Sequence, residues 1–199
     1  MGYKTYQTPF NVLQILQASS GTIVKTAKSY TIKATLKHTN GTPLAGKKVK
    51  LNFNGKNYNV VTNANGVASY TLKASDIKKL KAGKTYLLKA MYVDDWTRGK
   101  WIGKISVISH AIKAKKTTTV KKNAKSLSVK ITLNDGSVLK NKKVTIKFKG
   151  KNYNVKTNNK GVAYFKLNSN VIKTLSKGKT YTYTIKYSYD TLNRYIKVK

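Results

Sequence analysis

The feature that most constrains this chain is that it repeats itself. Gly55-Lys56-Asn57-Tyr58-Asn59-Val60-Val61-Thr62-Asn63 returns as Gly150-Lys151-Asn152-Tyr153-Asn154-Val155-Lys156-Thr157-Asn158, with eight of nine positions identical at an offset of 95. Gly41/Gly136, Leu44/Leu139, Val49/Val144, Phe53/Phe148, Gly66/Gly161, Leu72/Leu167, Tyr86/Tyr181 and Tyr92/Tyr187 keep that offset without a gap. One module is therefore present twice, each copy roughly 85 residues long, a size at which one core sustains a fold without metal or disulfide. The division this implies is an N-terminal segment over 1–21, a first domain over 22–107, a linker over 108–118 and a second domain over 119–199.

Within each copy the apolar residues recur with period two, the signature of half-buried strands. Tyr30, Ile32, Ala34 and Leu36 alternate with polar residues, as do Val49, Leu51 and Phe53, and later Tyr86, Leu88, Ala90 and Tyr92. The second copy repeats the pattern with Leu127 to Leu133, with Val144, Ile146 and Phe148, and with Tyr181 to Tyr187. Asn54-Gly55 and Lys149-Gly150 stand between two such runs, where a tight hairpin turn demands positive φ. Ser75 to Leu80 reads as a single helical turn capped by Ser75. The fold class expected is all-β, two tandem antiparallel two-sheet sandwiches of about seven strands each. Residues 1–21 carry Phe10, Val12, Leu13, Ile15 and Leu16, which suit a short helix or a buried strand, and are expected to pack against the first domain.

Charge is the unusual property. The chain has 41 Lys plus Arg against 5 acidic residues, a net charge of +36, with every acid an Asp and only Arg98 and Arg194 as arginines. Lysine is a hydrated point charge without the guanidinium fork that reads base edges and phosphates. A field of this size attracts polyanions: acidic cell-wall polymers, anionic glycans, membrane surfaces or nucleic acid. Cysteine is absent, which excludes a disulfide framework and thiol chemistry, and no apolar run reaches the roughly 20 residues of a membrane-spanning helix.

The turn and core pattern Asn40-Gly41-Thr42-Pro43-Leu44-Ala45-Gly46-Lys47-Lys48-Val49, Asn54-Gly55, Thr62-Asn63-Ala64-Asn65-Gly66-Val67-Ala68 and Gly83-Lys84-Thr85-Tyr86 resembles the bacterial-type immunoglobulin-like repeats of surface adhesins. The lysine- and asparagine-rich wording is most similar to adhesin-like surface proteins of methanogenic archaea. The resemblance covers about 22–199 and implies immunoglobulin-like sandwiches in an extracellular, cell-surface stalk or binding region, as an excerpt of a longer exported protein. Tyr86 and Tyr181 fall where the tyrosine corner of such sandwiches lies, with their hydroxyls expected on nearby backbone.

Candidate chemistry is sparse. His38 and His110 have no counterpart in the other copy and no Cys or Glu to complete a catalytic or metal set, so both are expected in solvated loop or linker, with no catalytic residues, metal or cofactor. Asp94-Asp95 falls short of a calcium site. Asp95 and Asp190 align; some surface sandwiches carry a Lys–Asn isopeptide bond promoted by a buried acid, but this pair is expected outside a strand, before a polar loop. The recognition candidates are Trp96 and Arg98, with Trp101 assigned to packing, and the outward lysines Lys48, Lys50, Lys143, Lys147 and Lys149. The function expected is a non-enzymatic adhesin fragment holding an acidic polymer, an anionic glycan or a partner cell-surface protein. The alternative is a non-specific nucleic-acid binder using the same charge.

Overall fold

A computed structural model describes residues 14–92, the main chain of 97–98, and residues 101–199. Among these the fold is all-β, in immunoglobulin-like sandwiches. The strands of the first part of the chain are β1 (Gln14–Ala18), β2 (Gly21–Val24), β3 (Ser29–His38), β4 (Lys48–Phe53), β5 (Lys56–Val61), β6 (Val67–Lys73), β7 (Thr85–Tyr92), β8 (Thr97–Arg98) and β9 (Ile102–Ile108), with helix α1 (Ala74–Lys79) after β6. They form sheets in the orders β6-β3-β1-β8 and β2-β9-β7-β4-β5. There follow β10 (Ile112–Ala114), β11 (Thr117–Val120), β12 (Ser126–Leu133), β13 (Lys143–Phe148), β14 (Lys151–Lys156), β15 (Val162–Asn168), α2 (Ser169–Lys173), β16 (Thr180–Tyr187) and β17 (Asp190–Val198). Their sheets run β10-β12-β15 and β11-β17-β16-β13-β14.

By contacts the chain divides into two compact units. The described residues of one are 14–21, 29–72 and 85–106, and of the other 22–28, 73–84 and 107–199. In the first, Ile32, Leu36, Val49, Leu51, Phe53, Leu72 and Leu88 are buried; in the second, Val129, Ile131, Val144, Ile146, Phe148, Phe165, Tyr183 and Ile185 are. Alternation thus turns Phe53 and Phe148 inward, at 2% and 1% exposure. Phe165 packs at 5.5 Å from Tyr183 and 6.0 Å from Phe148, ring to ring. Edge-to-face and tilted contacts of this kind add to the burial of apolar area.

The turns follow the expected chemistry. Asn54 and Gly55 have φ of 49° and 78°, Lys149 and Gly150 46° and 77°, so both hairpins close through two successive left-handed residues. Gly66 and Gly161 meet a second requirement, since a Cβ at either would fall on the carbonyl of Leu36 or Leu133. In return those glycine carbonyls accept from Leu36 N–H and Leu133 N–H at 2.8 Å each. Thr62 and Thr157 stand inside the fold in matching roles. Each hydroxyl donates at 2.6 Å to a carbonyl, Leu44 or Leu139, and accepts from Lys47 N–H at 2.9 Å or Lys142 N–H at 2.8 Å.

Of the two forms open to the N-terminal segment it takes the strand, because Leu16 and Ala18 alternate with Ile15 and Gln17 and pair with Leu36 and Ala34 of β3. Other details depart from expectation. Residues 112–114, inside the stretch expected as linker, pair with β12, and 117–120 run parallel to β17, so the sheets are not wholly antiparallel. The helical turn begins at Ala74, with Lys73 at the N-cap position in place of Ser75; in the second copy Asn168 caps α2 through Val171 N–H at 3.1 Å. Tyr181 forms the anticipated corner, its hydroxyl accepting from Ser176 N–H at 2.8 Å. That bond, with Lys149 and Lys122 nearby, holds the Tyr181 phenol below the ordinary tyrosine value. Among the described residues no helix is long and apolar enough to cross a membrane.

Candidate functional site

Strand pairing collects the outward lysines onto sheet faces. In the second unit β13 turns Val144, Ile146 and Phe148 inward, which leaves Lys143, Thr145 and Lys147 outside. Lys143 is directly opposite Lys156 of β14, and Lys147 is opposite Asn152. On the other flank Thr145 faces Lys186 and Lys147 faces Thr184 of β16. Lys186 therefore lies on the diagonal from Lys147, a separation of about 7–8 Å between neighbouring strands. Threonine and asparagine fill the intervening positions and bond across the strands: Thr145 Oγ1 to Asn154 Oδ1 and Thr184 Oγ1 to Asn193 Oδ1, both at 2.9 Å. These bonds align the face into a pre-formed polar surface.

The same face in the first unit carries Lys48, Lys50 and Asn52 on β4, with Lys50 opposite Asn59 and Met91, and Lys48 opposite Val61. Here apolar side chains stand in the open: Val61, Leu87, Met91 and Ile102 are all between 46% and 57% exposed. Lys149 is not on a strand. It occupies the β13–β14 turn, with its ammonium 3.4 Å from the Thr174 carbonyl and 5.6 Å from the Tyr181 ring centre. Lys122 likewise donates to the Lys173 and Leu175 carbonyls at the end of α2, a structural use of lysine.

Trp96, Asp94 and Asp95 lie outside the described residues, and Arg98 is placed by its main chain opposite Ile15 of β1. Trp101 was expected in the core of the last strand. It precedes β9 and is 38% exposed, its carbonyl accepting from Ala90 N–H at 2.7 Å. His38, by contrast, ends β3 and is half-buried, so it is not the loop residue expected.

His110 and Asp190 correct the expectation most. Asp190 opens β17 and is 3% exposed, and His110 is held by it at 2.6 Å between Nδ1 and Oδ1. A carboxylate only accepts, so the ring carries its proton on Nδ1. Asp190 Oδ2 accepts from Ile112 N–H at 3.0 Å, and Thr26 Oγ1 stands 3.5 Å from Oδ1. The carboxylate thus ties the start of β10 to β17. Beside it lies a cleft of about 180 Å³ lined by Tyr187 and Tyr189, where burial, then the charge of Asp135, pushes the Tyr187 phenol up. Among the described residues no three His, Cys, Asp or Glu are grouped to hold a metal.

No protein-family model matches the sequence, and no curated protein matches it. Similar solved structures include a 1.5-MDa bacterial ice-binding adhesin studied for host cell surface retention, 14% identical with a TM-score of 0.38 over 94% of this chain and 65% of that one. A Ca2+-stabilized adhesin that helps an Antarctic bacterium reach out and bind ice is 15% identical, TM-score 0.36, over 94% and 49%. Invasin, a bacterial integrin-binding protein, is 18% identical, TM-score 0.36, over 94% and 39%. The chain spans less than two thirds of each of these. Likeness at this distance carries no argument about ligand or partner, and the sandwich rests on the strand pairing itself.

Proposed function

We propose that the chain is a non-enzymatic part of an extracellular, cell-surface adhesin, built from two immunoglobulin-like domains, whose lysine-bearing sheet face holds an acidic polymer. The observation that carries this is the direct opposition of Lys143 and Lys156, with Lys147 and Lys186 on the same exposed face. Like charges directly opposite on a sheet destabilise it. A polyanion laid across the four ammonium groups removes that repulsion and releases its own counterions. The threonine and asparagine side chains between them offer neutral donors and acceptors suited to the hydroxyls of a polysaccharide. The face presents no helix to a groove and uses lysine, so it selects charge density and not base sequence. The repeat's resemblance to adhesin-like surface proteins of methanogenic archaea points to the same setting.

The test is a titration of the full chain with an acidic polysaccharide, a neutral one and duplex DNA at about 50 and 200 mM salt, the range over which multi-site ionic binding falls steeply. The acidic polysaccharide is expected to bind with strong salt dependence and the neutral one not at all. DNA binding that outlasts physiological salt, with none to polysaccharide, would replace this reading by the nucleic-acid one.

A further inference from the structure

We propose that a second surface of the 107–199 unit, the open cleft beside β12 where the chain leaves β10 for β11, is a binding site for an anionic oligosaccharide. The proposal rests on the acidic-polymer reading above and gives it a ligand class and a distinct location. The cleft has a volume of about 560 Å³ and is lined by Lys113, Lys115 and Lys130 and by Thr118, Ser128 and Thr132, with Ala114 and Val129 giving it an apolar part. Its size lies within the roughly 300–1,000 Å³ typical of ligand clefts.

Strand register explains how the cleft is composed. Lys113 is opposite Thr132, Lys130 is opposite Tyr164, and Ser128 is opposite Lys166. Each lysine on this sheet is thus set beside a hydroxyl-bearing residue. Neutral hydrogen-bonding groups stand beside the charges, a mixture that suits a ligand carrying both anionic groups and hydroxyls. Tyr164 is 47% exposed on the same outward face, beside the cleft, and offers a flat ring on which a sugar can stack. Nucleic-acid strands are held by a series of aromatic platforms. One tyrosine among hydroxyls fits a sugar chain better.

The floor is rigid. Arg194 Nε donates to the Ala114 carbonyl at 2.9 Å, and Tyr195 N–H to the Lys116 carbonyl at 3.0 Å, fixing both ends of the passage from β10 to β11. Behind Thr118 the buried Tyr183 hydroxyl makes no hydrogen bond of regular geometry.

The first copy supplies a control within the same chain. Its strand β1 pairs with β3 as β10 pairs with β12, but Gln17 is opposite Thr35 where Lys113 is opposite Thr132. At the offset of 95, Ser69 stands for Tyr164 and Thr71 for Lys166, and Thr71 bonds Thr31 at 3.0 Å. The stacking ring, the lining cation Lys113 and Lys166, which stands beside the cleft opposite Ser128, are features of the second copy alone.

The experiment titrates the full chain, as wild type, K113Q/K166T and Y164S, with a short galacturonate oligomer, its methyl-esterified neutral form and a short single-stranded DNA. The substituents are those of the first copy, so the fold accepts them, and melting curves verify this. K113Q/K166T is expected to weaken the oligomer about tenfold, and Y164S by roughly five- to tenfold, the scale of one lost stacking partner. The esterified oligomer is expected not to bind. A triple variant on the other sheet, K147N/K156V/K186M, is expected to leave the oligomer within about twofold while weakening long polymer, whose affinity scales with the number of charges met. If K113Q/K166T and Y164S bind the oligomer as wild type does while long polymer still binds, the cleft assignment is overturned and the sheet-face reading stands. If no acidic polymer binds at all, both fall. Single-stranded DNA bound more tightly than the oligomer at physiological salt overturns the glycan assignment.

Discussion

The two copies of the repeat agree inside and disagree outside. Phe53 and Phe148, Thr62 and Thr157, and the hairpin glycines Gly55 and Gly150 hold the same places to the same effect. On the outward face of the hairpin sheet, Asn52, Val61, Leu87 and Met91 of the first copy stand where the second has Lys147, Lys156, Thr182 and Lys186, while Lys50 and Lys89 stand where it has Thr145 and Thr184. Buried positions are constrained by packing, and left-handed turn positions by backbone sterics, so neither distinguishes the copies. The faces are free of both constraints. Both faces carry lysine, and their composition differs in what accompanies it: exposed apolar side chains on the first copy, threonine and further lysine on the second.

The largest effects should fall on the shared interior. Phe53→Ala and Phe148→Ala are each expected to cost about 3–5 kcal/mol, read from denaturant melts of the full chain. A loss below about 1 kcal/mol at either would show that the two interiors are not equivalent. Next is Asp190→Ala, which removes the acceptor for Ile112 N–H and the partner of His110; about 2–3 kcal/mol is expected for bonds to a charged group. Thr62→Val and Thr157→Val should each cost about 1–3 kcal/mol, since each leaves an N–H and a carbonyl unpaired, and their near-equality is itself the check.

A smaller effect separates the copies by pH. Burial pushes the phenols of Tyr183 and Tyr30 above the ordinary tyrosine value of 10.0, against a lesser pull from Arg194 and Thr118 on Tyr183. A raised folded-state value means that the contribution is fully present below the ordinary value and is lost as pH climbs through the raised one. The matched residues are Leu88 and Leu127. Tyr183→Leu and Tyr30→Leu should each flatten part of the alkaline fall in melting temperature; a profile unchanged in both would mean that neither phenol is held neutral by burial.

These contrasts also show what a single sequence discloses. Period-two alternation exposed the strands and the inward Phe53 and Phe148, because burial on a sheet is a local consequence of the pleat. Asn54-Gly55 disclosed its turn for a similarly local reason. Asp190 was opaque: its burial depends on β10, 78 residues earlier, bringing Ile112 N–H to it. β10 itself is too short to alternate visibly, so its residues have the look of a linker in the sequence. Lys149 was misplaced by one position, since the left-handed turn begins at that residue and takes it off the strand. The Lys143–Lys156 opposition was latent in the repeat, but only the hairpin register makes it explicit.

The most direct measurement exchanges the faces. In the full chain, K147N/K156V/K186M gives the second copy the first copy's residues, and N52K/V61K/M91K does the reverse. Binding of an acidic polysaccharide is followed by anisotropy across a salt series. The first exchange is expected to lower the affinity and to reduce the slope of log K against log salt by about two to three, near one per cation removed, while the reverse exchange raises both. Slopes and affinities that match wild type in both exchanges would contradict the assignment of polymer binding to this face.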